Sequence, residues 1–417
     1  MDEYPRLLVM APKRLGWHGG GGVTMCNLLK GWPLDRIAQI HADPEPDGAD
    51  ESVCAQHLYC EAGDRCLTSL PTGGRQRCVP SLVRYVLGRQ DAWGPFAHGA
   101  DVLPFVRAFS PQVVYCYVLQ SPPVFWTLPR LLGTPYVTHI MDDWPRLEDS
   151  RPGLLRRGFW NPVRRWALRR LFRGAALNLG ICDEMCAAFA SRYGSRFVPF
   201  HNCVELAPYG AGKRYTRARD DLFDLVYIGS VHKKKELDSL VELKNAVLAV
   251  ADRVPGLRLT VHHPPREEDC WNFREFLQAP PHVVAGDYLA PDALPQRLVD
   301  ADALVLALGF EGESQTYLRY SFQTKVPEYL ASGTPVLVYG PAGNPNVLAA
   351  RRDGWGVVVD RRDPSRLAAG LTDLAEKEEL RRTLGMAGRT IASERYDAKL
   401  VRRRFRESLA TAAGRQA

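Results

Sequence analysis

No stretch of this 417-residue sequence reaches the roughly 18 consecutive apolar residues that a membrane-spanning helix needs; its longest candidates are short runs such as ALVLALGF. The opening MDEYPRLLVMAP is acidic and lacks the basic leader and long apolar segment of a secretory signal. A cytoplasmic protein is expected, with the inner face of the membrane as a further place of work. Cysteine is sparse, ten residues without a repeated paired spacing, which fits unpaired thiols in a reducing compartment. The one local concentration is Cys54, Cys60, Cys66 and Cys78, with His57 nearby. Zinc ligands usually come in pairs about two to four residues apart, and only Cys54/His57 and His57/Cys60 are that close. A structural zinc is therefore not expected, and the stretch reads as a loop. Charge of a single sign is also missing: a net +7 among 24% charged residues excludes a polycationic tail and leaves room for local basic patches. Short internal repeats and low-complexity tracts are absent.

What is present is a hydrophobic content of 46% over a length sufficient for two domains. Short β-branched runs recur: RLLVMAP (6–12), VVYCYV (113–118), PYVTHIM (135–141), ALNLGI (176–181) and RFVPFHN (196–202). A second set follows, FDLVYIG (223–229), LRLTVHH (257–263), HVVAGDY (282–288), DALVLAL (302–308), PVLVYGP (335–341) and WGVVVD (355–360). Stretches of helical length lie between them. The alternation predicts an α/β protein with two doubly wound parallel sheets, helices on both faces of each. Between the sets, ELAPYGAGKRYTRARDD (205–221) has the Pro, Gly and charge of a linker. The expected domains are 1–205 and 206–390, with 391–417 a terminal helix crossing back to the first. Two such domains face to face would leave a cleft lined by the carboxyl ends of their strands, where open α/β sheets bind ligands.

Residues just after strands are therefore the candidates. Gly19–Gly22 follow the first strand and precede the helical pattern Val23–Leu29, so that Gly20 and Gly21 could let backbone amides approach a ligand. The run is neither G-x-G-x-x-G nor a Walker loop, and a plain flexible turn explains it as well. HIMDDWP places His139, Asp142 and Asp143 at a strand end. They could orient a substrate hydroxyl or stabilise positive charge developing on a sugar-like centre; alternatively they form a capped turn with Trp144 in the core. YIGSVHKKKELDSL puts Gly229 and Ser230 at a strand end and Lys233, Lys234 and Lys235 at a helix start, where ammonium groups would neutralise a diphosphate without a metal. A solvated helix start is the plainer reading. In SFQTKVPEYLASGTPVLVYGP a helix is expected from about Val326 to Ser332–Gly333, feeding a strand over Val336–Tyr339. Lys325 could reach a phosphate, the amides of Phe322, Gln323 and Thr324 could point at the same anion, and Glu328 could accept both hydroxyls of a ribose.

Taken with ICDEMCAAFASRYG and HNCVE, these segments resemble the GT-B glycosyltransferases, in particular the glycosyltransferase family 4-like group that includes bacterial mannosyltransferases and sucrose synthase-like and glycogen synthase-like enzymes. In that group a Glu-x7-Glu motif holds the donor, and Glu328 matches its second Glu. The first falls at Tyr320, with Glu311 or Glu313 as replacements upstream. The arginine that commonly follows the strand-end glycine is Ser230 here, and Lys235 best matches the phosphate-binding lysine. The resemblance implies transfer from a UDP- or GDP-linked sugar to an acceptor hydroxyl on a glycan, a lipid-linked molecule or a small molecule. It also implies no metal or other cofactor, and retention of configuration. A GT-B nucleotide-sugar epimerase and a basic nucleic-acid-binding protein are the rival readings; no reader module for nucleic acid is recognisable.

Finally, RPGLLRRGFWNPVRRWALRRLFR (151–173) holds eight arginines and no acid. Val163, Trp166, Ala167 and Leu171 are expected on one face, with Arg164, Arg165 and Arg169 off it. Such a helix either packs on its own domain with a solvated basic side or rests on anionic membrane.

Overall fold

The computed structural model describes residues 4–17, 19–42, 49–59, 99–119, 126, 129–130, 132–151, 153–154, 156–213, 222–233 and 235–414. Of the expected linker, 214–221 lies outside them, as do Cys60, Cys66, Cys78 and Lys234. The chain divides into two compact units, Met1–Asn202 with Val401–Ala417, and Cys203–Leu400.

The first unit is built on seven strands: β1 (Leu7–Met10), β2 (Ile37–His41), β3 (Gln56–Tyr59), β4 (Val113–Tyr117), β5 (Tyr136–Ile140), β6 (Leu177–Gly180) and β7 (Phe197–Pro199). They pair in the order β3-β2-β1-β4-β5-β6-β7, and every pairing is parallel. β1, β4 and β5 are buried along their whole length, as strands covered on both faces must be. The final helix, Ala398–Ala413, supplies this core with Phe405, whose ring meets Tyr115 at 5.4 Å and Phe200 at 5.7 Å. Arg402 Nε donates to Asn27 O at 2.6 Å, and Arg406 lies over the Tyr4 ring.

The second unit carries β8 (Phe223–Ile228), β9 (Leu257–His262), β10 (Val283–Gly286), β11 (Ala303–Ala307), β12 (Val336–Tyr339) and β13 (Gly356–Val359). Their order is β10-β9-β8-β11-β12-β13, again all parallel. In both sheets the winding reverses once, between β1 and β4 in the first and between β8 and β11 in the second. The carboxyl ends of those strands are the topological switch points, where an open α/β sheet leaves a crevice.

The segment Val326–Ser332 is a helix that ends on Gly333 at φ 71° and feeds β12, as its sequence indicates. Three local expectations change. Gly19–Gly22 are not a loop before a helix; they form its first turn, in the helix Gly19–Leu29. The stretch around Cys54 contributes an exposed edge strand, β3. In the helix Asn161–Gly174 the buried residues are Asn161, Ala167, Leu168, Leu171 and Phe172, whereas Trp166 is exposed. Leu168, Leu171 and Phe172 bury more apolar area at i, i+3 and i+4 than a face through Val163 and Trp166 would, and that sets the helix rotation.

Candidate functional site

The switch point of the second sheet is charged. β8 ends at Ile228 and is followed by Gly229 at φ 152°, a conformation that side-chain-bearing residues rarely adopt. A Cβ there would come within 2.7 Å of Lys325 Nζ and 3.0 Å of the Tyr227 hydroxyl, so glycine is needed for space as well as for its dihedral. Lys325 sits at the N-cap of the helix Val326–Ser332 and reaches across the switch point. Its ammonium donates to Ile228 O at 2.8 Å and lies 4.4 Å over the face of Tyr227, which offers it a quadrupole in place of water. The Tyr227 hydroxyl in turn donates to Ser230 O at 2.7 Å, and Ile228 N donates to the Tyr329 hydroxyl at 3.3 Å.

Two carboxylates share this charge. Glu328 stands in the first turn of Lys325's helix. Glu236, just before the helix Leu237–Val250, is buried and accepts from the Ser230 hydroxyl at 3.4 Å. Burial pushes Lys325 down to about 8, with Glu236 and then Glu328 holding it up. Burial raises both carboxyls to about 7; Lys325 opposes this at each, and Lys235 also at Glu236. Lys325 and Glu328 nevertheless keep part of their surface open to solvent. Burial thus brings Lys325, Glu236 and Glu328 to change charge close to neutrality, with two of the three still reached by water. Glu236 has no signal in the sequence beyond an acid ending a lysine run; its burial is a tertiary fact.

The other predicted residues of this unit divide. Lys235 is half-buried beside Glu236 and the start of a 14-residue helix. Lys233 instead lies 4.4 Å over Trp271 and 5.5 Å over Phe276, a solvated stacking contact. Phe322 packs into the core, its ring 6.3 Å from Tyr396. The amide of Gln323 donates to Asn346 Oδ1 at 3.0 Å, so the expected row of amides from Phe322 to Thr324 has its middle member committed to the protein. Thr324 remains partly exposed. Glu311 pairs with Arg362 at 2.9 Å.

In the first unit several of the described residues at the switch point are engaged in packing. Gly20 is exposed and its carbonyl accepts from the Thr24 hydroxyl at 2.9 Å. Gly21 backs onto the end of β4, where a Cβ would meet the Tyr117 hydroxyl at 2.2 Å. Close approach to a tyrosine is by itself a sufficient reason for this glycine. His139 has 0% exposure; its ring nitrogen bonds the Tyr115 hydroxyl at 2.7 Å, and burial pulls its pKa down to about 3. Asp143 forms a two-pronged ion pair with Arg192 at 2.6 and 2.8 Å, and its side chain has no exposed surface. Trp144 donates to Val118 O at 3.0 Å and stacks on Trp126 at 5.2 Å. The turn-and-core reading of this segment accounts for His139, Asp143 and Trp144, and the catalytic reading of His139 and Asp143 loses its geometric basis. Asp142 keeps partial exposure. At the sheet edge Cys54 is buried, its thiol pushed up to about 12, while His57 bonds His41 at 3.1 Å on the neighbouring strand.

The sequence matches two family models, a glycosyl transferase 4-like domain over residues 19–203 and glycosyl transferases group 1 over residues 223–377. No curated protein matches it. Among solved structures it is similar to a sucrose-phosphate synthase from Thermosynechococcus elongatus, with 15% identity, TM-score 0.64, and coverage of 97% of this chain and 98% of that one. Anabaena HepE in complex with UDP aligns at 14% identity and TM-score 0.67, covering 97% and 100%. A glycosyltransferase from Rickettsia africae aligns at 10% identity and TM-score 0.66, covering 98% of each chain.

Proposed function

Because the chain belongs to the GT-B glycosyltransferases, we propose that it transfers a sugar from a UDP-linked donor to an acceptor hydroxyl, with retention of configuration and without a divalent cation. The observation that carries this reading is the Lys325, Glu236 and Glu328 cluster at the switch point of the second sheet. Lys325 and Lys235 would hold the pyrophosphate. As the glycosidic bond breaks, charge grows on the departing phosphate oxygen, and these ammonium groups with the N-terminus of the helix Leu237–Val250 would stabilise it. Glu328, ionised, would accept from the two ribose hydroxyls. Ser230, which follows the strand-end Gly229, would give the phosphate a hydroxyl donor. HepE forms complexes with UDP and with UDP-glucose, which supports a uridine donor here.

A thermal-shift screen of UDP, GDP and ADP, in the presence of a chelator, tests the proposal. UDP should raise the melting temperature of the wild type with the chelator present, and Glu328→Ala should abolish most of that rise. A larger response to GDP would reassign the base. An equal response of Glu328→Ala and wild type to every nucleotide would remove the ribose assignment.

A further inference from the structure

The exposed face of the arginine-rich helix belongs to no site described so far. The helical run Arg156–Trp160 leads directly into Asn161–Gly174. Phe159, Pro162, Trp166, Arg170 and Arg173 recur at intervals of three and four residues, so that they form one outward stripe, flanked by Arg165 and Arg169. Phe159 is 40% exposed and Trp166 37%, and Leu154, just ahead of the run, is 92% exposed. Arg164 and Arg165 both use Asp149, but among the described residues no carboxylate pairs with Arg169, Arg170 or Arg173. The Arg170 guanidinium, exposed, lies 4.8 Å over the partly exposed Trp166 ring, so that charge and indole share one patch of surface.

We propose that this face docks the protein onto a bilayer leaflet rich in anionic headgroups, Leu154, Phe159 and Trp166 entering the headgroup region and the unpaired arginines meeting the phosphates. Charge complementarity selects the partner: 151–173 contains eight basic residues and no acid. The apolar members separate lipid from nucleic acid. An aliphatic side chain exposed to 92% has no base to stack upon, whereas it gains by leaving water for acyl chains, and tryptophan favours that boundary. Such attachment suits an acceptor carried by a lipid, and it stands or falls independently of the donor assignment.

Flotation of the full chain with vesicles of phosphatidylcholine, alone or mixed with phosphatidylglycerol, is the test. Binding should require phosphatidylglycerol and weaken with salt. Replacing Arg165, Arg169, Arg170 and Arg173 together by Gln should lower the partition at least about ten-fold, each basic group near a charged surface contributing roughly five-fold. The combination Leu154→Ser, Phe159→Ser and Trp166→Ser should retain a weaker, more salt-sensitive attachment. A melting curve for each variant checks that it folds: the arginine variant should melt close to the wild type, and the Leu154, Phe159 and Trp166 variant, whose two rings are partly buried, a few degrees lower but still in one cooperative transition. Absence of wild-type binding, equal binding to both vesicle types, or variants that float like the wild type would overturn the proposal. So would loss of binding to a single-stranded oligonucleotide in the variants with vesicle binding unchanged.

Discussion

The two sheets reverse their winding at equivalent places and use them differently. At the end of β1 and β4, Gly21 and Tyr117 press together, while on the neighbouring strand and turn His139 is buried with Nδ1 on the Tyr115 hydroxyl and Asp143 is paired with Arg192. At the end of β8 and β11, glycine again gives way to a larger neighbour, but that neighbour is the ammonium of Lys325, with two carboxyls titrating near neutrality around it. Topology supplies an address in both units. In the second, buried and imperfectly balanced charges supply a chemistry, and an imbalance of that kind is what a polyanionic ligand can correct.

Substitutions can break this contrast, and the largest effect belongs to Lys325. Lys325→Ala should weaken UDP binding by about 100-fold, since truncating one buried charged partner typically costs about 2–5 kcal/mol; isothermal titration reads it directly. Gly21→Ala should cost about 1–3 kcal/mol of stability, because the Tyr117 hydroxyl must move from a packed site, yet leave UDP affinity within about two-fold. A chemical-denaturation curve and a UDP titration on the same protein check both halves. If Gly21→Ala abolished UDP binding, the first switch point would have the ligand role denied to it here.

Smaller effects follow from pH. Binding through Glu328 needs the carboxylate and is lost as pH falls below about 7; binding through Lys325 needs the ammonium and is lost as pH rises above about 8. UDP affinity should therefore peak between these values, and Glu328→Gln should remove the acid limb while keeping the alkaline one. Stability carries the same information with a different sign. A carboxyl raised from 4.5 to about 7 binds its proton more tightly in the folded chain, so stability declines as pH rises from 4.5 to 7 and is level above. Glu328→Gln should flatten that decline by on the order of 1–2 kcal/mol in urea melts at pH 5 and pH 7.5.

Much of this architecture is legible in the sequence because parallel strands buried on both faces read as unbroken apolar runs. Eleven strands announce themselves in that way; β2 and β3 do not. In β2 the apolar run is broken by Gln39, which turns inward to receive Leu15 N at 2.9 Å and to donate to Lys13 O at 2.8 Å. β3 is a largely exposed edge strand, QHLY, with no apolar run to read. The candidate site is legible to the same degree. Lys325 and Glu328 stand out because they flank a helix whose start and glycine stop are both explicit. Glu236 looks like one more solvated charge until β8 and Lys325 close around it, and His139 looks reactive until Tyr115 and the sheet enclose it. Spacing along the chain locates strand ends. It does not reveal which side chains those ends will bury.

The most direct measurement is a crystal structure of the protein with UDP. The account predicts the diphosphate within hydrogen-bond distance of the Lys325 ammonium, drawn off Ile228 O, and the ribose hydroxyls on the Glu328 carboxylate. UDP bound elsewhere, with Lys325 still donating to Ile228 O and Glu328 untouched, would contradict it.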